Sequence, residues 1–192
     1  RLRLQGKEMQ ELETLQNAYL LVDDDKVKGY GLMDELSKID LPESITVEDA
    51  KGGTVLPTWC DSHTHIVYAG SREGEFVDKI RGLSYAEIAR RGGGILNSAD
   101  RLHEMGEDEL FEQAMVRVNE VISKGTGCIE IKSGYGLNTA DELKMLRVIR
   151  RIGQSSAIQV VPTFLGAHAV SRAYSGRQSA YVDMLIKEMI PE

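Results

Sequence analysis

The sequence predicts an α/β protein, and three observations carry that prediction. From residue 84 onward apolar strand patterns alternate with helical patterns, the signature of a parallel sheet or barrel. Three strand patterns end in loops with polar or ionisable residues: His63 and His65, then residues 132–135, then His168. Ahead of them lies a β-rich opening third, so residues 1–54 read as a small β unit and residues 55–192 as the α/β part. Parallel α/β proteins build their sites at the C-terminal ends of strands, and three such ends here point at one place.

Taken in order, residues 1–13 are polar and weakly patterned and are assigned no structure. Residues 19–22 and 27–30 are short apolar runs joined by Asp23-Asp24-Asp25-Lys26, which reads as a β-hairpin. A short helix or loop over 32–39 follows, then strand patterns at 45–47 and 54–59. Ser84-Tyr85-Ala86-Glu87 and Thr139-Ala140-Asp141-Glu142 each have capping-box spacing, which satisfies two orphan backbone donors at a helix start. Between them Leu110, Phe111, Ala114, Met115, Val118, Val121 and Ile122 form one helical stripe, with Gly125 as its C-cap. A buried strand over 128–132 leads to the loop Ser133-Gly134-Tyr135-Gly136. An amphipathic helix over 141–152, closed by Gly153, a strand over 158–164 and a helix over 179–189 complete the pattern.

The chain has 192 residues, is 42% hydrophobic and 28% charged, and carries a net charge of -7 with acids and bases interleaved. That balance argues against nucleic acid or an anionic membrane as the main partner, so an anionic small substrate would need a local basic residue. No apolar run has the length of a membrane span, and no basic stretch precedes an apolar one as in a signal peptide. The expectation is a cytoplasmic protein. Cys60 and Cys128 lie in strand-like runs, where a thiol usually behaves as a small buried hydrophobe, and no disulfide is expected in that compartment. The chain begins at Arg1 and stops at Glu192 directly after a helical pattern, so either end could be cut from something longer.

His63 and His65 are the most informative pair. A strand has a side-chain period of two, so both imidazoles leave one face about 6 to 7 Å apart, with Thr64 turned away. Desolvating two imidazoles without a partner is costly, and sharing a metal ion resolves that cost; the bland alternative is two hydrogen-bonded core histidines. His168 follows Gly166 at another strand end, where its ring can reach a ligand or merely hold the loop. Arg72 lies just past the first strand end, placed either to clamp a carboxylate or to pair with Glu73 or Glu75. Tyr135 stands between Gly134 and Gly136, which open the loop around its phenol. His103 reads as a solvated surface residue. Gly92-Gly93-Gly94 lacks the lysine of a phosphate-binding loop and reads as a hinge or close-packing turn. Lys132 shares a strand face with Glu130, a plain ion-pair partner, which disfavours a catalytic lysine. No serine lies in a Gly-x-Ser-x-Gly frame.

The run from Val55-Leu56-Pro57 through Asp61-Ser62-His63-Thr64-His65 resembles the metal-binding first strand of the amidohydrolase superfamily. Together with Gly70-Ser71-Arg72-Glu73, Gly92-Gly93-Gly94-Ile95, Glu130-Ile131-Lys132-Ser133-Gly134-Tyr135-Gly136-Leu137, Asp141-Glu142-Leu143-Lys144-Met145-Leu146-Arg147 and Thr163-Phe164-Leu165-Gly166-Ala167-His168-Ala169, it closely resembles the imidazolonepropionase family of histidine degradation. The resemblance covers residue 18 to the C-terminus. Thr58 and Cys60 stand where that family usually has glycine and a β-branched residue, and Ser171-Arg172 replace a proline-rich step.

The resemblance implies a (β/α)8 TIM-like barrel, a β-sandwich built from both chain ends, and one divalent metal ion, Zn or Fe. It matches His63 and His65 to the first two metal ligands, and Arg72, Tyr85, Tyr135 and His168 to substrate-contacting positions, with His168 also catalytic. The implied reaction is hydrolysis of the ring amide C–N bond of 4-imidazolone-5-propanoate, a small anionic substrate, to N-formimidoyl-L-glutamate. A full barrel takes about 250 residues, and this chain supplies the first three of its strands. The family's later histidine ligand, aspartate ligand and glutamate base would lie past position 192. The chain is therefore expected to be an N-terminal fragment that binds metal weakly, shows no turnover and self-associates through unpaired strand edges, as a homodimer or larger. The rival readings are another amidohydrolase, such as a nucleobase deaminase or a different cyclic amidase, and a non-catalytic domain that keeps the scaffold for binding or assembly.

Overall fold

A computed structural model describes residues 5–11 and 13–192, and the chain divides into two compact units, Arg1–Val55 and Leu56–Glu192. In the first unit a 3-10 turn, Gly6–Gln10, precedes the antiparallel hairpin of β1 (Ala18–Asp23) and β2 (Lys26–Leu32), and one helical turn, α1 (Met33–Leu36), follows. Asp24 and Asp25 form the hairpin turn at φ 48° and 59°, a conformation that a short carboxylate side chain tolerates and that matches the strand twist. The hairpin is where the sequence predicts it. No strand forms over 45–47, where Ile45 and Val47 are exposed and find no partner ladder.

The second unit holds the core. Its strand β3 (Trp59–Thr64) starts five residues later than the apolar pattern that begins at Thr54, because pairing decides where it begins: Trp59 N–H donates to Gly125 O at 3.0 Å. Two helices that the sequence pattern does not announce follow, α2 (Glu73–Ile80) and, after α3 (Tyr85–Arg90), α4 (Ile95–Glu104). Ser84 and Glu87 close the expected capping box at the start of α3, with Ser84 N–H donating to Glu87 Oε2 at 2.8 Å. Then come α5 (Glu107–Ser123), β4 (Thr126–Lys132), α6 (Thr139–Ser155), β5 (Gln159–Thr163) and α7 (Gln178–Met184), which continues as a π turn over Leu185–Met189. Gly125 takes φ +92° just past α5, as a helix C-terminus requires. Gly153 does not end α6; it lies inside the helix, where a Cβ would come into contact with Val160 of β5 at 3.4 Å.

The three strands form a parallel sheet in the order β3-β4-β5, with no closed barrel among the described residues. Ile129 and Ile131 of β4 pack with Leu110, Ala114 and Val118 of α5 and with Met145, Val148, Ile149 and Ile152 of α6, all essentially inaccessible to water. The opposite face of β4 carries Cys128, Glu130 and Lys132, which stay partly exposed. Lys144 ties α6 to α4 by donating to Leu102 O at 2.6 Å and Met105 O at 3.0 Å, satisfying carbonyls orphaned at the α4 C-terminus.

Candidate active site

The C-terminal ends of β3, β4 and β5 gather the residues that the sequence singles out. The His65 ring centroid lies 5.7 Å from that of His63, 4.7 Å from that of His168 and 5.2 Å from that of Tyr135, and Tyr135 stacks on His168 at 5.5 Å. His63 is exposed and His65 half-buried at the strand end, and Thr64 points to the neighbouring strand, its hydroxyl donating to Glu130 O at 2.7 Å. Burial, then the proximity of His168 and His63, lowers the pKa of His65. Burial first, and His63 with it, lowers that of His168 against an opposing pull from Glu142. Both rings are held towards the neutral form that donates or ligates through nitrogen.

Arg72 stands at the start of α2 and pairs with Glu75 at 2.6 Å, and Glu75 Oε1 accepts the Gly94 N–H at 2.9 Å. The ion pair is the plainer of the two sequence readings, but it leaves Arg72 Nε buried with no partner. Hydrogen bonding to Glu75 raises the Arg72 pKa despite burial, and Tyr135 and Tyr85 lie within electrostatic reach of the guanidinium. A Cβ at Gly94, which has φ +85°, would sit 3.3 Å from the Tyr85 hydroxyl, so the glycine triplet is a close-packing turn beside Tyr85. Burial raises the Tyr135 pKa, keeping the phenol protonated as a donor.

Several supporting residues escape sequence reasoning. Glu142, only 1% exposed, does not serve a Thr139 capping box. The α6 N-cap is Asn138, whose side chain accepts the Asp141 N–H at 3.0 Å, and Glu142 reaches back to the loop, accepting N–H groups of Gly134, Gly136 and Leu137 at 2.8–3.0 Å. That grip holds Tyr135, and at Gly134 (φ +113°) a Cβ would lie 2.8 Å from His168 Nδ1, which is why the loop needs glycine. Ser133, a non-nucleophile by motif, is a fully buried tie: its N–H donates to Thr163 O and its Oγ accepts the Leu165 N–H, both at 2.9 Å. Tyr181 of α7 donates to Gly166 O at 2.7 Å beneath the His168 turn, and burial pushes its phenol up to about 12. Arg117 of α5 donates to Ile66 O at 2.9 Å and lies 3.6 Å over the Tyr68 ring, fixing the segment that follows His65. A carboxylate soon after a glycine-rich loop is the one sequence signal that points to such a tie.

Other expectations resolve simply. Lys132 pairs with Glu130. His103 is exposed as expected, yet its Nδ1 lies 2.7 Å from Asp141 Oδ2. Cys60 is exposed rather than buried, because nothing among the described residues covers that face of the edge strand β3. For a metal ion the fit is partial. The buried Nδ1 of His65 has no hydrogen-bond partner, as a nitrogen reserved for a ligand would not, and His63 adds a second ring. Among the described residues no group of three or more His, Cys, Asp or Glu is placed to hold an ion. Two imidazoles alone fall short of the three or four protein ligands that a metal site needs.

No protein-family model matches the chain. Curated relatives do. The chain is 52% identical over 191 residues to an imidazolonepropionase of Christiangramia forsetii, which covers all of this chain and 46% of that protein. It is 50% identical over 190 residues to the imidazolonepropionase of Flavobacterium johnsoniae, covering 99% and 46% respectively. With the imidazolonepropionase of Ectopseudomonas mendocina the identity is 44% over 172 residues, or 90% of this chain and 42% of that one. The chain is thus homologous, along essentially its whole length, to imidazolonepropionases, and it spans somewhat less than half the length of those it matches.

Proposed function

We propose that this chain carries one half of the active site of an imidazolonepropionase, which hydrolyses the ring amide C–N bond of 4-imidazolone-5-propanoate to N-formimidoyl-L-glutamate in histidine degradation. The observation that carries the reading is the convergence of His65, Tyr135 and His168 beside His63 at three parallel strand ends. On this reading the three-stranded sheet is the opening of a (β/α)8 barrel, residues 55–192 are its first part, and residues 1–54 belong to a composite β-sandwich.

His63 and His65 would hold a divalent ion, Zn or Fe. When bound, such an ion lowers the pKa of water towards neutrality and polarises a carbonyl. The protein's own residues do the rest. Arg72, with a free buried Nε, and the protonated Tyr135 bind and orient the anionic substrate. Tyr85, whose hydroxyl lies over Gly94 and within electrostatic reach of Arg72, is the further substrate-contacting residue on this reading. His168, neutral and stacked on Tyr135, donates a ring N–H towards the charge that develops on the attacked carbonyl oxygen. The remaining ligands and the general base come from outside these 192 residues, so the chain alone binds metal weakly, shows no turnover and self-associates through the edges of β3 and β5 that are unpaired among the described residues.

The test is a chimera in which this chain replaces the aligned segment of the Christiangramia forsetii protein. It should turn over 4-imidazolone-5-propanoate, leave nucleobases untouched, and lose both activity and bound metal on His63→Ala. A folded, metal-loaded chimera with no turnover would overturn the reading.

A further inference from the structure

We infer that Cys60 and Cys128 form a redox-active cross-strand dithiol, a site at which peroxide reversibly converts the protein to an intramolecular disulfide. The two residues are direct Cα partners on neighbouring parallel strands. Adjacent strands lie about 4.8 Å apart, inside the roughly 4.4–6.8 Å window that a disulfide spans between Cα atoms. The register is irregular on both sides of Cys60, between Trp59 and Cys60 and again between Asp61 and Thr64. Gly127 is the extra residue between the paired Thr126 and Cys128, and a Cβ there would overlap the Thr58 side chain. The strands therefore crowd together at this level, and the bulge beside Cys128 supplies the backbone freedom to close an S–S bond.

The two thiols divide the roles. Among the described residues Cys60 is exposed and Cys128 only partly so, which makes Cys60 the thiol that meets the oxidant. The adjoining Cys60 side chain holds the Cys128 thiol above its ordinary pKa, which suits Cys128 to the second, resolving step. The Cys60 thiolate attacks one oxygen of hydrogen peroxide and becomes a sulfenic acid, the other oxygen leaving as water after protonation. The Cys128 sulfur then displaces the sulfenic oxygen, which leaves as a second water. Two thiols and one peroxide give one disulfide and two waters. A bond between directly opposed, partly exposed strand residues is of the strained kind that thiols reduce readily, which makes the modification reversible.

The experiment treats the reduced chain with hydrogen peroxide and follows mass and free thiol. The expected result is loss of two hydrogens in the monomer, a fall from two titratable thiols to none, recovery with dithiothreitol, and closure at least tenfold faster in native buffer than in guanidinium. Cys60→Ser and Cys128→Ser should each abolish the loss of two hydrogens. Addition of oxygens without that loss, dimers linked between chains, or equal rates in native and denatured chain would overturn the inference. None of these readouts depends on the hydrolase reading.

Discussion

The hairpin of β1 and β2 and the sheet of β3, β4 and β5 are built from similar apolar runs, yet they end in opposite environments. Leu20, Val22, Val27 and Tyr30 of the hairpin remain 45–69% exposed, whereas Ile129 and Ile131 of β4 are 0–1% exposed. The difference is the second layer. α5 and α6 lay seven apolar side chains over β4, and no described element of the first unit does the same for the hairpin. Strand alternation prepares a face, and only a covering element turns it into a core; an isolated two-stranded hairpin is marginal in water.

Removing one side chain from each region separates the two most clearly. Ile149→Ala, in the fully buried face of α6, is expected to cost about 2–5 kcal/mol by denaturant unfolding, because it leaves a cavity against β4. A cost below about 1 kcal/mol would mean that the layer is loosely packed.

A smaller effect separates the regions by acid. Burial alone would raise the Asp141 pKa, but hydrogen bonds from Asn138, His103 and Lys144 outweigh it and hold the carboxyl below its ordinary value. A depressed folded pKa gives stability that is complete above the unfolded value, near pH 4, and is lost as pH falls through the folded one. The urea midpoint of the second unit should therefore drop below about pH 4 and flatten in Asp141→Asn. Hydrogen exchange in the hairpin, which has no such buried carboxylate among its described residues, should follow pH only through ordinary chemical exchange. The smallest effect is expected of Val22→Ala, within about 0.5 kcal/mol, since the side chain is already in water. A larger loss would show that the hairpin is covered in solution.

Much of this architecture is legible in the order of the amino acids. The hairpin, α5, β4, α6 and β5 follow their periodicities to within a few residues, and His63, His65, Tyr135 and His168 stand together as their strand-end positions imply. What stays hidden depends on partners distant in sequence or on short elements. α2 and α4 are short, at eight and ten residues, and their N-cap residues, Arg72 and Gly94, offer no side-chain cap to announce them. β3 begins where Gly125 offers a carbonyl, not where the apolar run begins. Glu142 has the spacing of a capping box, and the competition between Thr139 and the loop amides is settled only when the chain folds back on itself.

The residue types at each strand end, and with them the chemistry this chain can contribute, follow from the amino-acid order alone, because a side-chain period of two places both histidines on one face whatever surrounds them. The grip on those residues is a product of tertiary folding: Glu142 on the Tyr135 loop, Ser133 between two strand ends, Tyr181 beneath His168, Arg117 behind His65. Hydrogen bonds that tie side chains to loop and strand-end backbone leave no periodic trace, since burial, not spacing, forces each polar group to find its partner.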